Sequence, residues 1–184
     1  MIRIETERLI IRNFTIKDEE HVYEQIMKFQ KSEFVFMDEP WPLERSKYAE
    51  IIQHIISTDD FLAVELKHNN KFIGWFTIGK NEDGTNNFGY NIHIDFHGQG
   101  FATEAGTALL DYMFNELQIE TIVTGTGLQN KPSVHLLEKL GFRKISEEKE
   151  SFHTDEDGNP IEFLGGHFKL TKEQWIFSKT SKNN

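Results

Sequence analysis

The alternation of apolar and polar positions divides the chain into eleven segments. Residues 7–14, Glu-Arg-Leu-Ile-Ile-Arg-Asn-Phe, predict a first strand. Thr15 and Asp18 then stand three apart, the spacing of a capping box, ahead of a helix that puts Val22, Ile26 and Phe29 on one face. A second helix is predicted where Tyr48, Ile51, Ile52, Ile55 and Ile56 recur at threes and fours. Between the two helices, Phe34-Val-Phe-Met-Asp-Glu-Pro-Trp-Pro is aromatic and broken by proline, and reads as a covering loop.

Strand-like runs follow at 61–66, 71–78 and 87–94, joined by His68-Asn-Asn and Asn81-Glu-Asp-Gly-Thr, both suited to hairpin turns. A long helix comes next, with Ala102, Ala105, Leu109, Met113 and Leu117 as its apolar stripe. A short β-branched strand at 120–124 leads to a helix that opens at Asn130-Lys-Pro-Ser and stops at Gly141. Late strands are predicted at 142–150 and 161–170, bridged by Asp155-Glu-Asp-Gly-Asn. The order β-α-α-β-β-β-α-β-α-β-β describes an α/β (α+β) domain, with a mixed, mostly antiparallel sheet of about seven strands flanked by helices. One domain over 1–177 is expected, with 178–184 as a frayed polar tail.

Composition narrows the function. The 38% hydrophobic and 27% charged content is that of an ordinary globular domain, and 184 residues can bury a real core. No apolar run approaches the roughly 18 residues of a membrane span, so no membrane partner is expected. The absence of cysteine removes disulfides, thiolate nucleophiles and thiolate metal sites, and suits a cytoplasmic setting; no metal is expected. A net charge of −10 argues against nucleic acid as a partner, since phosphate contacts need clustered Lys and Arg. It suits a cationic substrate, although it also serves solubility alone.

The informative stretch is Tyr90-Asn-Ile-His-Ile-Asp-Phe-His-Gly-Gln-Gly-Phe-Ala-Thr-Glu-Ala, where a strand ends in a glycine-rich turn and a helix begins at once. The N–H groups at a helix start lack internal partners and lie at the positive end of its dipole. Gly98 and Gly100 let an anion approach the backbone closely, which makes a phosphate cradle. A tight turn alone would need the same glycines. No Gly-Lys-Ser/Thr follows, so the stretch is not a Walker loop, and the third glycine of a dinucleotide fingerprint is missing.

This stretch resembles the pyrophosphate loop of the GNAT acetyltransferase superfamily, Gln/Arg-x-x-Gly-x-Gly/Ala, here filled by His97-Gly98-Gln99-Gly100-Phe101-Ala102 with histidine in the Gln/Arg position. Further segments are similar to the RimJ/RimL-type branch of N-terminal acetyltransferases. They are the opening Thr6-Glu7-Arg8-Leu9-Ile10-Ile11-Arg12, the helix start Ala102-Thr103-Glu104-Ala105, the segment from Asn130 to Phe142, and the closing Phe168 to Trp175. The likeness covers nearly the whole chain, in the expected order.

The resemblance implies a GNAT fold whose fourth and fifth strands, 87–94 and 120–124, splay apart around the pantetheine arm of acetyl-CoA. It implies backbone contacts from Ile92, His93 and Ile94 to that arm, one N–H of which would stabilise the oxyanion. The pyrophosphate would rest on Gly98, Gln99, Gly100, Phe101, Ala102 and Thr103, with His97 at the family's polar position. Asn130 would contact the pantetheine amides, and Ser133 would lie near the sulfur and protonate the thiolate; read without the resemblance, both are ordinary helix caps.

The implied reaction moves acetyl to a primary amine by direct attack in a ternary complex, without an acetyl-enzyme. The base is open among His93, Asp95, Tyr90 and Glu150, with His93 favoured by its ordinary pKa and Glu150 by the branch's late-strand glutamate. Glu104 reads as a first-turn charge. Asp38, Glu39, Asp155 and Glu156 would hold a cationic acceptor or serve only as solvated loop charges. A protein N-terminal α-amine is the leading acceptor, with a polyamine, an amino-acid analogue or an aminoglycoside as the alternative. A non-catalytic acetyl-CoA-binding module is the reading from another class. Relatives of this kind pair as homodimers, and the resemblance extends that expectation here.

Overall fold

The computed structural model describes residues 1–81 and 83–182. Its strands are β1 (Arg3–Glu5), β2 (Leu9–Asn13), β3 (Phe61–Leu66), β4 (Phe72–Thr77), β5 (Asn86–Asn87), β6 (Gly89–Ile92), β7 (Thr121–Gly127), β8 (Arg143–Thr154) and β9 (Pro160–Thr171). Its helices are α1 (Glu19–Phe29), α2 (Tyr48–Thr58), α3 (Phe101–Asn115), α4 (Lys131–Leu140) and α5 (Lys172–Lys182). Among the described residues the strands form two sheets, ordered β1-β2-β3-β4-β6 and β5-β7-β9-β8. All pairings are antiparallel except β5 with β7. This is a mixed, mostly antiparallel α/β architecture.

One predicted strand, 87–94, is shared between the two sheets. Asn86 and Asn87 pair with Ile122 and Val123 of β7, whereas Gly89 to Ile92 pair with β4. The chain switches sheets at Phe88, whose ring is buried and whose carbonyl accepts a 2.6 Å hydrogen bond from Thr124 Oγ1. Beyond that bond β6 and β7 diverge, and a wedge opens between their C-terminal halves. The strand also ends earlier than predicted: Ile94–Phe96 form a 3-10 turn and Ile94 is exposed.

Two apolar cores flank the sheets. One joins the sheet to α3 and α4 through Ile73, Phe76, Phe88, Leu109, Leu137 and Phe168. The other seats α1 and α2 through Val22, Ile26, Tyr48, Ile52 and Trp75. Below α1 lies a buried ion network. Arg12 grips Asp18 with two bonds of 2.8 and 2.9 Å and reaches Glu65 at 2.8 Å, while Thr15 N–H caps the same Asp18 carboxylate at 2.8 Å. Fork-on-carboxylate geometry of this kind fixes orientation as well as charge.

Three expectations need correction. Leu117 does not continue the stripe of α3: the helix ends at Asn115, the chain turns so that Ile119 N–H returns to Met113 C=O, and Leu117 is exposed. The strand expected at 7–14 is present as β2, but it is not the first: β1, which the pattern did not announce, precedes it and pairs with it as a hairpin. The polar tail from Ser178 does not fray at once but continues α5 to Lys182, because Trp175 Nε1 donates to Asp111 and Lys179 pairs with the same carboxylate. Residues 183–184 lie outside the described residues.

Candidate active site

The wedge between β6 and β7 continues into a cleft of about 860 Å³ that runs past the start of α3, along α4 and under the loop after α1. Of the residues expected to hold the cofactor, Ile92, His93, Ile94, His97, Gly98, Gly100, Phe101, Ala102, Thr103, Asn130 and Ser133 line it. Gln99 does not; its side chain turns back to donate to Asp95 C=O at 3.0 Å. Glu150 also lies off the cleft.

At the cleft mouth the backbone takes the left-handed conformation twice, at Gly98 (φ 71°) and Gly100 (φ 81°), which a side chain would strain. The first hydrogen bond of α3 runs from Glu104 N–H to Gly100 C=O. The N–H groups of Phe101, Ala102 and Thr103 therefore precede the helical ladder and form its positive end. Sequence reasoning missed Arg8. Its guanidinium stacks 4.4 Å from the Phe101 ring, donates to Gln99 C=O at 3.0 Å and pairs with Glu104 at 2.6 Å. Glu104 also accepts from Thr6 Oγ1 and Arg8 N–H, so this first-turn carboxylate ties the β1–β2 turn to the loop. The Thr-Glu-Arg opening was the available signal.

Along the wedge, His93 N–H donates to Ile73 C=O. Neighbouring residues of an antiparallel strand point their backbone groups to opposite sides, so those of Ile92 face the wedge. Its carbonyl accepts from His97 Nε2 at 2.6 Å, so the His97 side chain folds back onto the strand. His93 Nδ1 accepts from Asp95 N–H at 3.2 Å, which leaves the proton of the neutral ring on Nε2. Burial, aided by Lys28, holds its pKa below the usual histidine value.

Asn130 caps α4 with Oδ1 on Ser133 N–H, 3.2 Å away. Ser133 Oγ lies 2.8 Å from Tyr90 Oη, which also donates to Ser133 C=O at 3.1 Å. Burial pushes the Tyr90 phenol up to about 12, so it stays protonated and is no base at neutral pH. Glu150 lies over Gly165 and 3.3 Å from His167 Nε2, which also meets Glu148 at 2.8 Å. Register shifts in β8 on both sides of this segment aim Glu150 along the sheet and away from the cleft. Asp95, the remaining base candidate, is exposed and paired with Lys28 at 3.0 Å.

The loop after α1 roofs the far end. Met37 sits directly on Gly127, where an added Cβ would meet its Sδ at 2.3 Å. Phe36 packs edge-on against Phe163, and His153 Nε2 donates to Asp38 C=O at 2.9 Å. Although acidic residues outnumber basic ones 30 to 20 over the chain, the described residues lining the cleft include Lys28, Lys31 and Lys139 against the single carboxylate of Asp38. A cleft more basic than its surroundings, opening on free amides, fits a polyanion at its mouth.

The acetyltransferase (GNAT) domain family matches residues 8–143. An uncharacterized N-acetyltransferase of Bacillus subtilis, YnaD, is 28% identical over 152 residues, which are 78% of this chain and 84% of that protein. The Ribosomal-protein-S5-alanine Acetyltransferase from Vibrio fischeri superposes with a TM-score of 0.78 at 16% identity, over 95% of this chain and 99% of that one. The spermidine N-acetyltransferase from Vibrio cholerae, in complex with CoA and spermine, superposes at 0.76 with 19% identity, over 93% and 99%. The chain belongs to the GNAT acetyltransferase family and is an acetyl-CoA-dependent N-acetyltransferase.

Proposed function

We propose that this protein acetylates a small primary amine by direct attack on acetyl-CoA held in the β6–β7 wedge. The observation that carries the reading is the divergence of β6 and β7 beyond the Thr124–Phe88 bond, with the free amides of Phe101 to Thr103 at the mouth of the opening. The backbone from Gly98 to Thr103 would hold the pyrophosphate, and Ile92 and Ser133 would flank the pantetheine arm. The wedge-facing N–H of Ile92 polarises the thioester carbonyl. Tyr90 Oη, 2.8 Å from Ser133 Oγ, positions that hydroxyl, and Ser133 gives its proton to the departing thiolate. The cofactor contact of Asn130 falls to its Nδ2, since Oδ1 caps α4.

The roof supports a choice of acceptor. A protein N-terminus needs an open groove, whereas the loop after α1 is pinned to β7, β8 and β9 by Met37, His153 and Phe36. That favours a slender amine over the protein terminus of the RimJ/RimL-type branch. A thiol-release assay with acetyl-CoA and a panel of small amines and N-terminal peptides tests this. Turnover on small amines is expected; turnover confined to peptides, or none on any amine, contradicts it.

A further inference from the structure

We propose that Asp38 binds the acceptor in its ammonium form and takes its first proton, so that the substrate is a primary alkylammonium. The proposal rests on the amine-acetylating function above and supplies the base that function lacks. Among the described residues lining the cleft, Asp38 is the one carboxylate. It is fixed in place by its neighbours. His153 holds its carbonyl, Met37 is buried against Gly127, and Phe36 is packed on Phe163. Its side chain accepts from Glu39 N–H at 3.0 Å, and it has no ion pair among the described residues.

Burial raises the Asp38 pKa above the usual aspartate value, and Glu39 adds to that, while the Glu39 amide and His153 act against it. A desolvated carboxylate without a counter-ion gains most from an arriving cation. The other candidates are engaged elsewhere. His93 carries its proton on Nε2, Tyr90 stays protonated, and Glu150 is held beside His167.

The step balances as follows. Asp38 takes one proton from the ammonium and later passes it to solvent. The freed lone pair bonds to the thioester carbon, and the C–S bond breaks. The sulfur leaves with the Ser133 proton, and the second proton lost by nitrogen restores Ser133. One thiol, one amide and one solvent proton result.

The test uses the full chain, acetyl-CoA, and 1-aminobutane and 1,4-diaminobutane as probes. Asp38→Asn should lower kcat/KM at pH 7 by on the order of 10²-fold. Its deficit should shrink as pH nears the roughly 10.4 of an alkylamine, where neutral amine needs no base. CoA affinity by calorimetry should hold. Calorimetry of 1,4-diaminobutane on the CoA-saturated protein should show binding that Asp38→Asn abolishes. Wild-type kcat/KM in Asp38→Asn, an equal deficit at every pH, or lost CoA affinity overturns the proposal, as does wild-type protein that binds no amine. If wild type binds the amine through Asp38 but never transfers acetyl, the acetylation reading fails while the ammonium site stands.

Discussion

The two ends of the cleft are built in different ways. At the end proposed for the cofactor the lining comes largely from one contiguous stretch, Ile92 to Thr103, and the groups proposed to bind are mostly backbone amides. At the end proposed for the acceptor the contacts join segments far apart in the chain: Asp38 meets His153, Phe36 meets Phe163 and Met37 meets Gly127. A backbone cradle depends on glycine positions and tolerates side-chain change, as His97 illustrates by folding away onto Ile92. An assembled roof depends on long-range packing. The cofactor end is thus the part that could be shared among relatives with different acceptors.

Breaking the scaffold common to both ends should have the largest effect. Asp18→Ala removes one of the two carboxylates on Arg12 and leaves it with Glu65 alone, which should cost about 3 kcal/mol, a Tm loss of roughly 10 °C, without changing CoA affinity in the cold. Burial pushes the Asp18 carboxyl up, but Arg12 and the Thr15 amide outweigh it and hold it below the usual value. Its contribution is therefore present above about pH 4 and lost as pH falls through the lower folded value. Wild-type Tm should drop across that acid range, and the Asp18→Ala profile should be flatter.

Ser133→Ala should lower kcat by on the order of 10²-fold with CoA affinity kept. A fall of less than about twofold removes Ser133 as the acid. Gly100→Val places a branched side chain at φ 81°, costs about 1–2 kcal/mol locally, and should weaken CoA binding on the order of tenfold. Its acceptor KM should be unchanged, which separates the two ends most sharply. Tyr90→Phe removes one hydrogen bond worth about 1 kcal/mol and should lower kcat roughly fivefold. The same variant measured at saturating amine tells whether that loss resides in the chemical step.

The difference between the ends also explains what the sequence made legible. Helices with clean apolar spacing, such as Val22–Ile26 and Leu109–Met113, read correctly because neighbours three and four apart decide their faces. Leu117 misled because an apolar residue just past a helix end continues the arithmetic but not the helix. The sheet switch at Phe88 depends on Thr124, distant in sequence, so no local pattern announces it. β8 is exposed along most of its length, which removes the alternation that would have marked its full extent. α5 is seated chiefly by Trp175 on Asp111, a contact that periodicity does not encode. The glycine-rich turn before α3 was legible because its conformation lies in glycine spacing. On the other side of the cleft the sequence offers Asp38 only as one of four loop carboxylates, because its place there depends on contacts with residues distant in the chain.

The most direct test is a calorimetric titration of the purified protein with CoA, repeated on Gly100→Val. The account predicts saturable one-site binding that weakens with added salt and falls about tenfold in the variant. No detectable binding to wild type, or equal affinity in both proteins, would contradict a diphosphate held on the amides at the start of α3.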